Sequence, residues 1–226
     1  MNKIINNFPD VEQMRNEAVK LICSSAHEAV KEEGRFSLAL SGGNTPEPIY
    51  RKLLETDFPW EKTDFFWGDE RCVPPDDLRS NYFNAVCAFL SLAPVPVENI
   101  HRIKADLPPE KAAAEYEKEL INYRDNNKRD KIFDLVLLGM GNDGHTASLF
   151  PESKALYEEE CLVKAVPAPL HMEPKVPRIT LTYPGIAESK FVFFIIEGNN
   201  KRSLLTSSED YPALNVCSEK IVWFTA

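Results

Sequence analysis

No stretch of this 226-residue chain is apolar for long enough to cross a membrane, since runs such as Phe191–Ile196 fall far short of the roughly 20 residues that a bilayer requires. The first residues, MNKIINNFPDVEQMRNEA, lack the basic and then apolar layout of a secretory signal and run straight into a charged helical pattern. No CxxC occurs. Cys23, Cys72, Cys87, Cys161 and Cys217 are scattered and odd in number, which predicts reduced thiols in a cytoplasmic protein rather than a disulfide framework. With no HExxH, no paired cysteines and no clustered histidines, no metal site is expected. Basic clusters are missing too, and a net charge of −9 argues against a nucleic-acid partner. Repeats, low-complexity segments and domain linkers are not evident. What is there, 43% hydrophobic and 27% charged residues, is the composition of an ordinary folded domain.

Val11, Met14, Ala18, Leu21, Ile22 and Ala29 recur at helical spacing, so an amphipathic helix over 11–33 is expected to open the fold. Phe36–Leu40 reads as a short buried strand, and SGGNTPEPIYRKLLE as a loop and helix with Thr45 as N-cap and Pro46 at the first helical position. A strand over Asp64–Trp67 ends at GDERC, and Pro74 and Pro75 impose an irregular loop. Helices are expected over Asn81–Leu90 and Glu110–Tyr123. Phe133–Leu138 gives a strand buried on both faces, 151–177 a loop region, and Ile179–Thr182, Phe191–Ile196 and Ile221–Phe224 further strands. This alternation predicts one doubly wound α/β domain over 1–226, with a mainly parallel sheet covered by helices on both faces.

Chemistry concentrates where strands feed turns. In FDLVLLGMGNDGHTASLFP, glycines at 139, 141 and 144 let the backbone bend at a strand's carboxyl end, where α/β sheets bind ligands. Asp143 and His145 sit in that turn, before a possible short helix TASLF, and an imidazole beside a carboxylate can take a proton from water near neutral pH. SGGNTP places the amides of Gly42, Gly43, Asn44 and Thr45 at a helix start, as an anion site or simply as a tight βα turn. In GDER, Arg71 is suited to hold an anion bidentately and Asp69 to orient water or a hydroxyl; the structural alternative is an acid–arginine pair that fixes the loop. Arg178 before ITLT and Lys201 after FVFFIIEGNN are candidate cations for the same crevice, or exposed charges at element boundaries. His27, His101 and His171 read as surface or packing residues.

Two other motifs compete. Gly139, Gly141 and Gly144 fit GxGxxG, but Pro151 ends any helix soon afterwards and no second strand closing on an acid follows. ALSGG resembles a nucleophile elbow at Ser41, yet its first glycine is replaced and Pro46 and Pro48 suit a phosphate-loop helix start better.

Taken in order, SGGNTP, WGDERCVPPDDLRSN, GMGNDGHTASLFP and PRITLTYPGIAESKFVFFIIEGNNK resemble the 6-phosphogluconolactonase family, which belongs with the glucosamine-6-phosphate deaminase/isomerase folds. The resemblance covers most of the chain. It implies hydrolysis of 6-phospho-D-glucono-1,5-lactone to 6-phospho-D-gluconate, the second step of the oxidative pentose phosphate pathway, without metal or organic cofactor. By the same resemblance, the general base falls on His145, its neighbouring carboxylate on Asp143 and the DER motif on Asp69–Arg71, which puts Asp143 and Asp69 with His145 in the catalytic set without fixing the role of either. Ser41, Gly42, Gly43, Asn44, Thr45, Arg71, Arg178 and Lys201 bind the phosphorylated lactone. A monomer or weak homo-oligomer is expected. The deaminases resemble DGHIAFNEP, with a glutamate where this chain has Phe150, and tend to have tyrosine where it has Arg71; both differences favour the lactonase over a deaminase. A non-catalytic sugar-phosphate sensor is a third reading, disfavoured because it has no need of Asp143 and His145 together.

Overall fold

The apolar runs lie side by side as parallel strands. The computed structural model describes residues 2–226. Its six-stranded sheet runs in the order β1 (Asn2–Asn7), β9 (Lys220–Thr225), β8 (Ser189–Ile196), β5 (Phe133–Leu138), β2 (Phe36–Leu40) and β3 (Thr63–Trp67), every pair parallel. β2, β3 and β5 are buried at every residue, which is why they read as near-continuous apolar runs rather than as alternating ones. Their few polar groups are paired: Ser37 donates from its backbone N–H and its hydroxyl to Asp134 Oδ2, at 2.8 and 3.0 Å.

α1 (Val11–Glu33) packs across β2, β5 and β9. Asp10 caps it by accepting from the Gln13 N–H, and Gly34 ends it with a φ of 79° that side chains disfavour. Met14, Ala18, Ile22 and Ala26 have no exposed surface and form its inner stripe, each large side chain contributing about 1.5–3 kcal/mol by burial. The other helices are α2 (Glu47–Leu53), α3 (Asn81–Ala85), α4 (Pro109–Asn126), α5 (Tyr183–Ala187) and α6 (Asn199–Leu204). The outer edge of β3 is covered. His101 donates its N–H to Phe65 O, and the Tyr116 hydroxyl of α4 accepts from the Trp67 N–H and donates to Trp67 O.

A second, antiparallel sheet of β4 (Asp69–Arg71), β7 (Arg178–Leu181) and β6 (Val163–Val166) begins one residue after β3, so it stands at the carboxyl end of the parallel sheet. The sequence reading anticipates β4 only as the end of a strand and places β6 in a loop. β1 also precedes the helix expected to open the fold. Two local expectations fail for identifiable reasons. Thr45 does not cap α2: the helix starts at Glu47 with no side-chain cap, and Pro46 and Pro48 leave fewer N–H groups in need of one. TASLF forms no helix, because Ala147 sits at φ 47° and Thr146 folds back to bridge Leu149.

From β2 the chain passes to β3 on one side, then returns to β5 on the other. The topological switch point therefore lies between β2 and β5, and the loops leaving their carboxyl ends are SGGNT and GMGNDGH.

Candidate active site

The turn after β5 is closed by its own backbone: Gly144 donates its N–H to Gly141 O at 3.1 Å and Gly141 donates to His145 O at 2.9 Å. This brings His145 Nδ1 to 2.5 Å from Asp143 Oδ1, which also receives the His145 N–H at 3.3 Å. Burial raises the Asp143 carboxyl, but the hydrogen bonds from His145 outweigh it and hold the group below the usual carboxylate range. Asp143 is thus an acceptor, Nδ1 carries the hydrogen it receives, and Nε2 is the ring nitrogen turned away from the carboxylate. Phe150 packs on the imidazole with ring centres 5.0 Å apart. Glycine is required beneath it. A Cβ on Gly141 would lie 2.1 Å from His145 Nδ1, and one on Gly144 would lie 2.3 Å from the Tyr211 ring.

Next to this turn, the SGGNT loop leaves β2. The Tyr50 hydroxyl pins its first residue, accepting from the Ser41 N–H at 3.0 Å and donating to Ser41 O at 2.8 Å. Gly43 takes a φ of 94°. The amides of Gly42, Gly43, Asn44 and Thr45 donate to nothing among the described residues, so four N–H groups are available to a ligand. The two loops are neighbours, since a Cβ on Gly139 would lie 4.0 Å from Ser41 Oγ. That hydroxyl donates to Gly42 O and has no imidazole partner among the described residues, so the nucleophile reading of Ser41 lacks its base.

The DER strand divides its labour. Glu70 is buried and accepts four hydrogen bonds, from the N–H groups of Arg71, Asn81 and Tyr82 and from the Ser80 hydroxyl, so it anchors the start of α3. Asp69 is buried as well. Its Oδ2 accepts from Ser148 Oγ at 2.6 Å and its Oδ1 from Asn81 Nδ2 at 3.1 Å, so both oxygens hold neighbouring side chains. Arg71 faces Arg178 in register across β4 and β7, an arrangement that like charges disfavour unless an anion joins them. Neither arginine has a carboxylate partner among the described residues. Arg71 Nη1 donates to Arg79 O and its buried Nε to nothing. Arg178 is 2% exposed, and its Nη groups donate to the carbonyls of Val176 and Pro174. Burial and the neighbouring Arg71 charge lower its pKa. Lys201 stands on α6, just beyond the carboxyl end of β8.

Three contributors are not among the site residues expected from the sequence: Asn81 and Ser148, which lie inside the motifs without a role, and Tyr211, which lies outside them. Ser80 and Asn81 follow directly on DDLR, a serine N-cap signature that points to a helix start but carries no hint of what the asparagine touches.

Residues 9–223 match the model of a family described as glucosamine-6-phosphate isomerases/6-phosphogluconolactonase. The chain belongs to that family. It is 40% identical over 207 residues to 6-phosphogluconolactonase of Nostoc, covering 91% of this chain and 84% of that protein. Against 6-phosphogluconolactonase of Thermotoga maritima the identity is 38% over 218 residues, covering 95% and 91%. The crystal structure of 6-phosphogluconolactonase from Thermotoga maritima superposes with a TM-score of 0.87 at 36% identity, covering 99% of both chains. The family fold thus includes both sheets, and the crevice at its switch point is where this chain gathers His145, Asp143 and the SGGNT amides.

Proposed function

We propose that this protein hydrolyses 6-phospho-D-glucono-1,5-lactone to 6-phospho-D-gluconate by general-base activation of water. The observation that carries this reading is the Asp143–His145 pair, with Nδ1 held and Nε2 free, beside four unpaired amides and Arg71. The names of its relatives point the same way.

The 6-phosphate binds to amides of Gly42–Thr45 and to Arg71, with Lys201 and the buried Arg178 adding positive charge. Phosphate binding fixes the lactone carbonyl near His145, so binding energy becomes orientation. Water attacks C1 and gives its proton to Nε2. The carbonyl oxygen becomes an oxyanion stabilised by backbone N–H groups of the glycine turns. The C1–ring oxygen bond then breaks, Nε2 returns the proton to the departing oxygen, and the products are a hydroxyl and a carboxylic acid that ionises. One general base contributes about 10²–10⁴-fold, enough for an ester that is already reactive once it is oriented. No covalent nucleophile takes part. A deaminase needs a proton-transferring carboxylate where Phe150 packs its ring on His145, which disfavours that activity here.

The test is hydrolysis of lactone freshly generated by glucose-6-phosphate dehydrogenase, measured above the spontaneous background, with unphosphorylated gluconolactone as control. Wild-type turnover that depends on the phosphate and falls about 10²–10⁴-fold in His145→Ala is the expected result. Wild type at background would overturn the reading, and glucosamine 6-phosphate turnover would then be measured.

A further inference from the structure

Asn81 is 2% exposed at the first turn of α3, yet one of its polar atoms has no partner. Its Nδ2 donates to Asp69 O at 2.9 Å and to Asp69 Oδ1 at 3.1 Å. Those two acceptors fix the amide, because turning it over would set Oδ1 against two oxygens. Oδ1 consequently points the other way, into the SGGNT loop, where it lies against Gly42 and accepts nothing. A Cβ on Gly42 would fall 2.0 Å from Oδ1 and 2.4 Å from Cγ of Asn81. Gly42 does not take a positive φ, so the demand for glycine there is steric, and the three atoms nearest to a Cβ all belong to the Asn81 carboxamide.

On its other side the same side chain is coupled to the base. Asp69 Oδ2 accepts from Ser148 Oγ at 2.6 Å, and the Ser148 N–H donates to Thr180 Oγ1 at 3.1 Å, so the segment three residues past His145 is tied to β4 and β7. A buried acceptor left unpaired is costly and calls for an explanation. This one stands where three segments meet: the loop after β2, the strand β4 and the turn that carries His145.

We infer that Asn81 is a positioning residue whose carboxamide sets the distance between the anion-binding SGGNT loop and the His145 turn. It acts through Gly42 on one side and through Asp69 and Ser148 on the other. It touches neither substrate nor reacting atoms. This inference rests on the reading of the site as a phosphorylated-lactone hydrolase, and it reaches further in naming what joins phosphate recognition to catalysis.

The experiment compares wild type, Asn81→Ala, Gly42→Ala and the double variant, each first shown to be folded at the assay temperature by its thermal melt. In Asn81→Ala, kcat/KM for the phosphorylated lactone falls about 10–100-fold, the loss expected from misplacement on the order of 1 Å. The far slower residual hydrolysis of unphosphorylated gluconolactone, measured above background at high enzyme concentration and not using the loop, stays within twofold. Gly42→Ala alone loses a similar factor because its methyl meets Oδ1. Added to Asn81→Ala the same methyl costs less than threefold, since the carboxamide it would strike is gone; a purely structural asparagine gives no such rescue. Calorimetric binding of 6-phosphogluconate to the four proteins is measured alongside and keeps the test independent of turnover. If wild type fails to hydrolyse the lactone, the functional reading falls while the Gly42–Asn81 coupling is still read from binding. Additive losses in the double variant, or equal losses on both lactones, would overturn the positioning role.

Discussion

His145 works as a base only while its Nδ1 is occupied, and Asp143 occupies it at 2.5 Å. Asp143→Asn keeps the shape but offers an amide hydrogen to Nδ1, which drives the ring hydrogen onto Nε2 and leaves no lone pair for water. We expect kcat to fall about 10²-fold or more with KM changed less than threefold, read in the lactone assay. An unchanged kcat would assign Asp143 to shaping the turn. Gly141 supplies a second prediction at this scale. A methyl there would sit 2.1 Å from Nδ1, so Gly141→Ala displaces the imidazole and loses activity on the order of His145→Ala, while its thermal melt stays close to wild type because the turn is at the surface. A collapse in stability equal to the loss of activity would show that the turn cannot yield.

Among the elements, α3 is short and depends on its start. Glu70 reaches it from β4 and accepts from three backbone N–H groups and a hydroxyl, at 2.7–2.9 Å. Burial pushes its pKa up despite those bonds, so the carboxyl is under strain where it sits. Glu70→Gln turns an amide toward N–H donors. It should cost about 1–3 kcal/mol, and about 2–4 °C of Tm for each kcal/mol, measured by thermal unfolding. No change in Tm would mean that Ser80, whose hydroxyl accepts from the Phe83 N–H, holds the helix alone. The elements also show what could be read in advance. β2, β5 and β8 announce themselves because strands buried on both faces need unbroken apolar runs, and α1 because its inner stripe repeats every three or four residues. β1 is an edge strand spelled NKIINN, and β6 is four residues whose pairing partner β7 lies well over ten residues downstream. Short and edge strands are specified by what they pair with, which local pattern does not record. The same division holds in the site. Asp143, His145 and the SGGNT loop show their chemistry within a motif, whereas Asn81 and Ser148, though inside motifs, take their roles from hydrogen bonds to Asp69, 12 and 79 residues away.

Across the whole molecule, the two ends of the parallel sheet are given to different work. The carboxyl end carries the crevice. At the amino end stand two ionic clusters: Arg35, Asp64, His101 and Glu119 tie β3 and the start of β2 to α4, and Glu33, Arg129, Asp134 and Lys190 tie the end of α1 to β5 and β8. His101 is the member that titrates near neutral pH. Its ring stacks on Phe66, with Nδ1 2.9 Å from Glu119 and Nε2 3.4 Å from Asp64, and Asp64 also takes Arg35 and the Tyr123 hydroxyl. Burial pulls its pKa down, but the two carboxylates outweigh burial and push it up from the ordinary 6.5 to about 8. The folded protein therefore holds this proton more tightly than the unfolded chain. That stabilisation, about 2 kcal/mol, is fully present below pH about 6.5 and is lost as pH rises through about 8. Asp64 acts on a separate limb: its pKa is held low by His101, Arg35 and Tyr123 against the opposing effect of burial, so its contribution is lost only in acid. The expected result is a urea midpoint that declines between pH 6.5 and 8.5 in wild type and is flat over that interval in His101→Gln. Equal slopes in the two proteins would move the alkaline limb to another group and leave His101 as a neutral packing residue.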